Sequence, residues 1–232
     1  MGLIKVLSAG APKGGVALTA EAFQGKTGHR FEITFATAPK IKAAVESGEA
    51  DADVVVATAP TVAGFGAEGR TIAGVHTVIG SIKAGVVVRV GAEIPDISSA
   101  NSLARALLAA QSIVRNEASS GLYIARMLQG LGIADKVADK TVCLPTGGDV
   151  LDHLASSTIA REIGFGQLTE IRRLEPEGRI ALVGALPKEV ENITSYAAAP
   201  LAGARDADAA TAYVRFLASD QARKILVTSG VE

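Results

Sequence analysis

The chain of 232 residues lacks the residue types on which several classes of protein depend. Tryptophan is absent and aromatic residues make up only 4%, so stacking platforms for bases or sugars are not expected. Cys143 is the single cysteine, which excludes an internal disulfide and is in keeping with a reducing compartment. The net charge of -1 offers no strong field for nucleic acid or anionic lipid. No run approaches ~20 uninterrupted apolar residues, so no membrane insertion is expected.

What the chain does contain is sufficient for a large hydrophobic core. Hydrophobic residues make up 48%, and the length indicates one large domain or two small ones. A strand-like run, Leu3–Leu7, begins almost at once, and no basic region followed by an apolar stretch and a small-residue cleavage site precedes it. We therefore expect a cytoplasmic protein, or a periplasmic one if a signal segment has been removed.

Short apolar runs alternate along the chain with helical patterns. The predicted strands are Leu3–Leu7, Phe31–Phe35, Asp53–Ala57, Gly85–Val90, Ser112–Arg115, Thr141–Leu144, Ile163–Phe165 and Ile180–Val183. Apolar spacing predicts helices at about 15–24, in "KIKAAVESG", at about 122–131, and in "GDVLDHLASS", "DADAATAYVRFLAS" and "SDQARKILVTSG". This repeated order predicts an α/β protein with parallel sheets covered on both faces.

The elements fall into two sets, which predict two α/β lobes. The first lobe comprises residues 1–88 and 187–232, and the second comprises residues 89–186. Residues 187–232 are assigned to the first lobe because one more extended piece, "ITSYAAAPL", and two final helices follow "LPKE".

Small hydroxyl residues and glycines follow the predicted strands. Open parallel sheets bind ligands outside the carboxyl ends of their strands. The predicted ligand-binding residues are Ser8, Gly10, Lys13, Thr37, Ala38, Thr58, Arg115, Ser119, Ser120, Gly121, Thr146, Gly147 and Gln167.

These loops share a chemistry suited to anions. A helix start offers unpaired N–H groups and roughly half a positive charge, while glycine allows close approach and a hydroxyl adds one donor. In "NEASSG" one serine is expected to cap the helix while the other faces the ligand, and Arg115 is expected to pair with a carboxylate. The alternative is that Ser, Thr and Gly at these positions are ordinary helix caps.

Other kinds of site are poorly supported. "GAPKGG" lacks the Gly-Lys-Ser/Thr ending of a phosphate loop, so no nucleotide cofactor is expected. The three histidines are scattered without metal-ligand spacing, so no metal site is expected. The serines have no evident His/Asp partners for a hydrolase. Cys143 lies in an apolar strand and is expected to pack, and "EIRRLEPEGR" is expected to be solvated charge.

Both ends of the chain resemble the molybdate-binding proteins of ABC transporters. The resemblance rests on "LSAGAPKGG", on "AEAFQGKTGHRFEITFATAPKIKAAVESGEADADVVVA" and on the ending from "LPKEV" to "DQARKIL". It covers nearly the whole chain at the level of pattern. It implies the two-lobed type 2 periplasmic-binding-protein fold, with a ligand cleft between the lobes.

Two central motifs depart from the molybdate pattern. "NEASSGLY" and "GFGQLTEI" resemble the aconitate isomerases, a branch of the same fold, as do "PDISS" and "AQSIV". That resemblance favours an organic carboxylate as ligand and implies that Ser119, Ser120 and Gln167 contact it.

Two functions from different classes remain open. The first is a binding protein that closes on a small anion, either an organic di- or tricarboxylate or an oxyanion such as molybdate. If exported, it would have an ABC transporter permease as partner. The second is an isomerase of an unsaturated carboxylic acid, which needs a base to move a proton beside a carboxylate and donors to hold the developing charge. Glu117 and Lys13 are the candidate bases.

Overall fold

A computed structural model describes residues 2–232 of the chain. They form nine strands: β1 (Leu3–Ala9), β2 (Arg30–Ala36), β3 (Val54–Thr58), β4 (Thr77–Arg89), β5 (Ser112–Asn116), β6 (Thr141–Leu144), β7 (Glu162–Gln167), β8 (Ile180–Ala185) and β9 (Ile193–Pro200). They also form ten α-helices: α1 (Lys13–Thr27), α2 (Ala38–Ser47), α3 (Ala59–Ala67), α4 (Ala100–Ala109), α5 (Ser119–Gly130), α6 (Ala134–Val137), α7 (Gly147–Ser156), α8 (Leu168–Leu174), α9 (Ala207–Leu217) and α10 (Asp220–Thr228). None of these helices is long and apolar enough to cross a bilayer.

The chain divides into two compact units. Unit 1 consists of residues 1–82 and 195–232, and unit 2 consists of residues 83–194. The divisions fall inside β4 and β9 rather than after residues 88 and 186, where the sequence pattern placed them. The physical reason is that β4 is a single strand of 13 residues that begins in unit 1 and ends in unit 2.

Unit 1 is built on a mostly parallel sheet. Strand β1 lies between β2 and β3 and is parallel to both, and β9 pairs antiparallel with β3. Strand β3 is buried as a continuous apolar run, as expected for a strand covered on both faces. Rings from α1, β2 and α9 meet in the core, where Tyr213 lies 4.8 Å from Phe31 and 5.5 Å from Phe23, centroid to centroid. Burial raises the pKa of Tyr213 to about 12.

Unit 2 repeats this order of strands. Strand β5 lies between β6 and β7 and is parallel to both, and β4 pairs antiparallel with β7 and with β8. One face of the sheet packs on α4 and α5 through residues such as Phe165 and Ile124. The other face packs on α7 and α8 through Leu151, Leu154 and Ile171. Each unit therefore has three parallel strands whose carboxyl ends share one edge.

Two expectations from the sequence are wrong. Cys143 is exposed instead of packed, because β6 is the outermost strand of its sheet and bears exposed side chains. "EIRRLEPEGR" is not only solvated charge, because it contributes to α8 and buries Ile171 completely.

Candidate functional site

Three helices begin at the carboxyl edge of the unit 2 sheet. Helix α5 follows β5, α7 follows β6 and α8 follows β7, with only short turns between strand and helix. Because the three strands are parallel neighbours, these helix starts lie along the same edge. The first N–H groups of a helix have no partner within the helix, so this edge is rich in donors.

Asn116, rather than a serine, caps helix α5. Its Oδ1 accepts hydrogen bonds from the N–H of Ala118 at 2.9 Å and from the N–H of Gly121 at 3.1 Å. Its amide also lies 3.4 Å from the Ser120 hydroxyl. The residue at the N-cap position is Ala118, and no side chain caps from there. The expected serine cap is therefore not observed.

This cap leaves several donors at the start of α5 without a partner. Within residues 2–232, no acceptor is found for the N–H groups of Ser119 and Ser120 or for the Ser119 hydroxyl. Ser119 is half-buried and Ser120 is buried. Neutral donors of this kind suit an anion because the helix start adds partial positive charge.

Gly121 allows the helix to start this close to the strand. A β-carbon at Gly121 would overlap the backbone carbonyl of Asn116. Only glycine fits, so the "SSG" triplet fixes the position of the free N–H groups relative to β5.

Gln167 is a buried polar residue at the carboxyl end of β7. It ends β7, its side chain is 2% exposed, and neither Nε2 nor Oε1 has a hydrogen-bond partner within residues 2–232. Gln167 lies opposite Ala84 in the sheet, and Ala84 packs in the cluster that α5 covers. Since side chains alternate along a strand, Gln167 points to the same face as Phe165, which is the face of α5.

The start of α7 is occupied by the chain itself. Thr146 and Asp149 form a reciprocal capping box, in which Asp149 N donates to the Thr146 hydroxyl at 3.1 Å and Thr146 N donates to the Asp149 carboxylate at 2.9 Å. The carboxylate of Glu170 lies directly against Gly147, the first residue of the helix. For Thr146 and Gly147 this geometry favours the capping interpretation over ligand contact.

The two charged candidates of unit 2 lie on either side of Asn116. Arg115 is half-buried and its guanidinium donates to the Asn116 carbonyl at 3.3 Å, so it lies near the α5 start without a carboxylate partner in residues 2–232. Glu117 is exposed, and its N–H donates to the Leu144 carbonyl at 2.9 Å. Glu117 is therefore accessible at this edge, as a base would have to be.

The buried carboxylate of unit 2, that of Glu162, lies away from this edge of the sheet. Glu162 is at the amino end of β7, away from Gln167, and its Oε1 lies 3.0 Å from His153 Nε2. Burial alone would raise the pKa of Glu162, but neighbouring hydroxyl groups and the ring of His153 outweigh it and hold the pKa below its ordinary value. A carboxylate with a lowered pKa is a weak base, and Glu162 lies at the opposite end of β7 from the candidate site, so it is not a candidate base.

Unit 1 gathers its candidates at the corresponding edge. Ser8 is completely buried in β1, in register with Phe35 of β2 and Val56 of β3, and its hydroxyl donates to the Ala9 carbonyl at 3.0 Å. The Gly10 carbonyl accepts from the N–H of Lys13 at 3.0 Å in the turn before α1. The Lys13 ammonium lies 5.0 Å from the centre of the Phe35 ring, so it reaches over the neighbouring strand end.

A Thr-Ala-Pro sequence begins both α2 and α3. Thr37 and Thr58 occupy the N-cap positions in extended conformation, yet neither side chain caps its helix. A threonine cap bonds the N–H of the second or third helical residue, and proline in the second position has none. The Thr58 hydroxyl bonds that of Thr61 at 2.8 Å, whereas the structure gives the Thr37 hydroxyl, next to Ala38, no partner in residues 2–232.

The structure thus brings the predicted residues together at one edge in each unit. That both edges hold the same ligand stays a prediction. Asn116 was not identified from the sequence as a helix cap. Its place at the end of β5, three residues before α5 begins, was a signal that could have found it. Glu170 was also missed, since its contact with Gly147 joins two helices and has no local signal.

Comparison with known proteins agrees with this architecture. A family model described as bacterial extracellular solute-binding protein matches residues 4–232. The aconitate isomerase of a Pseudomonas species is 28% identical over 99% of this chain and 87% of its own length. Both resemblances expected from the sequence, to aconitate isomerases and to molybdate-binding proteins, are confirmed.

Solved structures share the fold at lower identity. The periplasmic molybdate-binding protein of Azotobacter vinelandii has a TM-score of 0.78 at 18% identity, covering 99% of this chain and 98% of its own. The sulfate-binding protein of Mycobacterium tuberculosis has a TM-score of 0.78 at 18% identity, covering 99% and 86%. The predicted type 2 periplasmic-binding-protein fold is confirmed. Because the family model matches nearly the whole chain, residues 4–232, the chain belongs to the bacterial extracellular solute-binding proteins.

Proposed function

We propose that the chain binds a small organic carboxylate through the start of helix α5. The observation that carries this proposal is the set of polar groups without partners in residues 2–232: two N–H groups, the Ser119 hydroxyl and the buried amide of Gln167. A carboxylate would accept from the N–H groups and the hydroxyl together. A buried amide without a partner costs free energy, so a ligand that pairs the Gln167 side chain binds favourably.

A carboxylate is favoured over molybdate by the two motifs that form this edge. "NEASSGLY" supplies Asn116, Ser119 and Gly121, and "GFGQLTEI" supplies Gln167. The relative that is 28% identical over nearly the whole chain is named for a tricarboxylate, aconitate. If the chain is exported, its partner would be an ABC transporter permease that accepts the released carboxylate.

The binding test compares two serine-to-alanine variants. Ser119→Ala removes a hydroxyl without an internal partner, so it should weaken carboxylate binding roughly tenfold to a hundredfold and leave the melting temperature almost unchanged. Ser99→Ala is the control, because Ser99 is a true cap of α4 and accepts from Ser102 N at 3.1 Å. It should lower stability by ~1 kcal/mol and leave affinity alone.

Calorimetry with molybdate, sulfate, phosphate and a series of di- and tricarboxylates measures both variants against the parent. If molybdate binds at micromolar concentration and no organic acid binds, the ligand is not a carboxylate. If Ser119→Ala binds the carboxylate as tightly as the parent, the start of α5 is not the binding site.

A second candidate function is isomerisation of an unsaturated carboxylic acid, favoured by the similarity to aconitate isomerase. Glu117 is exposed beside the α5 start and Lys13 reaches over β2, so either side chain is accessible as a base. A base would take a proton from the carbon next to a carboxylate and return it to the carbon skeleton after the double bond has shifted, while the N–H groups would hold the developing negative charge. Proton NMR of cis- and trans-aconitate with the protein tests for interconversion, which Glu117→Gln should abolish if Glu117 is the base.

A further inference from the structure

The unpaired amide of Gln167 restricts the chemistry of the ligand. Its Nε2 donates hydrogen bonds and its Oε1 accepts them, and both atoms are buried without partners in residues 2–232. Rotating the amide by half a turn exchanges the positions of Nε2 and Oε1, so one donor and one acceptor remain in either orientation. Whatever satisfies this side chain must therefore offer an acceptor and a donor at the same time.

A plain carboxylate or a fully deprotonated oxyanion does not meet this requirement, because it offers acceptors only. It would pair with Nε2, with the Ser119 hydroxyl and with the helix N–H groups, but Oε1 would stay buried and unpaired. A site built to hydrogen-bond a substrate hydroxyl discriminates strongly against an analogue that lacks it, because the protein group is then left without a partner.

The donor has to be a neutral group. Gln167 lies beside Ala84 and on the same face as Phe165. The buried polar residues at the start of α5, Asn116 and Ser120, are uncharged. An ammonium group buried against the Gln167 amide would gain no ion pair from it, which is unfavourable. A hydroxyl carries the needed proton without that cost.

We propose that the ligand is a hydroxycarboxylate, whose carboxylate is held by the start of α5 and whose hydroxyl pairs with the Gln167 amide. This inference rests on the proposed function and makes it more specific. The hydroxyl donates to Oε1 and accepts from Nε2, so both ends of the amide are satisfied by one ligand group or by the hydroxyl and carboxylate together.

The test uses pairs of acids that differ by one hydroxyl. Malate is compared with succinate, and citrate with tricarballylate, by calorimetry on the whole protein. The parent should bind at least one hydroxy acid about tenfold or more tightly than its hydroxyl-free partner. In Gln167→Met, which keeps the length of the side chain but not its polarity, this preference should fall to within about threefold.

Stability measurements separate a ligand-binding role of Gln167 from a structural one. Because Gln167 makes no hydrogen bond within residues 2–232, Gln167→Met should melt at the same temperature as the parent or higher. Gln129→Met, at an exposed position of α5, is the matched control and should change neither stability nor ligand preference.

Three outcomes would overturn the inference. Equal binding of each acid pair would show that Oε1 does not select a hydroxyl, while the carboxylate proposal would stand. A Gln167→Met variant that keeps the full preference, or that melts markedly lower, would show that the amide serves the fold instead. Binding of no carboxylate at all would remove both the proposed function and this inference.

Discussion

Asp53 joins three parts of unit 1 through one buried carboxylate. The side chain is 2% exposed and accepts from the N–H of Lys5 at 2.7 Å and from the N–H and guanidinium of Arg205, both at 2.9 Å. Burial alone would raise the pKa of Asp53, but the hydrogen bonds from Arg205 and Lys5 outweigh it and hold the pKa below its ordinary value. The residue therefore fastens the returning segment before α9 to β1.

Asp53→Asn should lower the free energy of unfolding by about 2–4 kcal/mol at pH 7, because charged hydrogen bonds are lost and Arg205 loses its buried partner. Since the folded pKa is depressed, the stabilisation by Asp53 is fully present above the unfolded pKa of about 3.9 and is lost as pH falls from there through the lower folded pKa. Urea unfolding at pH 7 and pH 3 measures both effects. Asp51→Asn, at an exposed neighbour, is the control. Equal destabilisation at both pH values would contradict the electrostatic explanation.

Cys143 provides a second check at the scale of one residue. Its thiol is exposed on the edge strand β6, so it should react with a thiol reagent in the native protein about as completely as in denaturant. The expected result is one equivalent of thiol per chain under both conditions. A thiol that reacts only after unfolding would mean that the edge of the unit 2 sheet is covered in solution.

Helix α5 contains two glycines with different surroundings, Gly121 in its first turn and Gly130 in its last. Gly121→Ala should destabilise the protein by several kcal/mol or displace the helix start, since the new methyl group meets the backbone of Asn116. Gly130→Ala, in the last turn of the same helix, has open space around it and should stabilise by about 0.5–1 kcal/mol. Thermal unfolding and carboxylate titration of both variants test this. Normal binding by Gly121→Ala would show that the close approach is not needed.

Local pattern predicted most elements but not all. Every predicted strand is present, and Gly28 and Gly48 end α1 and α2 in left-handed conformation. Helix α3 was missed because proline and two glycines interrupt "APTVAGFGA". Helix α4 had an available signal in the Ser99 cap and the buried pair Leu103 and Leu107, which lie four residues apart.

The candidate site was only partly readable from the sequence. The strand-end loops were found because a parallel sheet collects them at one edge. The sequence did not predict that Ser119 leaves its helix uncapped. The cap comes instead from Asn116, whose side chain accepts from the N–H of Gly121 across the turn. The unpaired state of Gln167 is a property of the folded surroundings, which no local pattern contains.

The whole molecule uses one strand arrangement twice without a repeat in its sequence. In each unit the first parallel strand lies in the middle, flanked by the second and third, and the third pairs with an antiparallel strand. Unit 2 is a continuous segment, whereas unit 1 needs both ends of the chain. Tyr213 and Val214, in the core of unit 1, both come from the second of its two segments.

A single chain in which residues 1–82 are joined to residues 195–232 by a short glycine-serine linker should fold. The reason is that the hydroxyls of Ser81 and Ser195 lie 2.8 Å apart, so the junction needs few residues. Residues 1–82 alone should stay unfolded, because β9, α9 and α10 are missing from the core. Circular dichroism with thermal unfolding measures both. A linked chain without a cooperative transition would contradict the division into units.

The carboxylate of Glu170 places a negative charge at the carboxyl edge of the unit 2 sheet. It lies against the first residue of α7, so the chain itself already places one anion at one of the helix starts of unit 2. A neutral side chain at position 170 would remove that charge, and an acidic group of a ligand would then meet less electrostatic repulsion at this helix start.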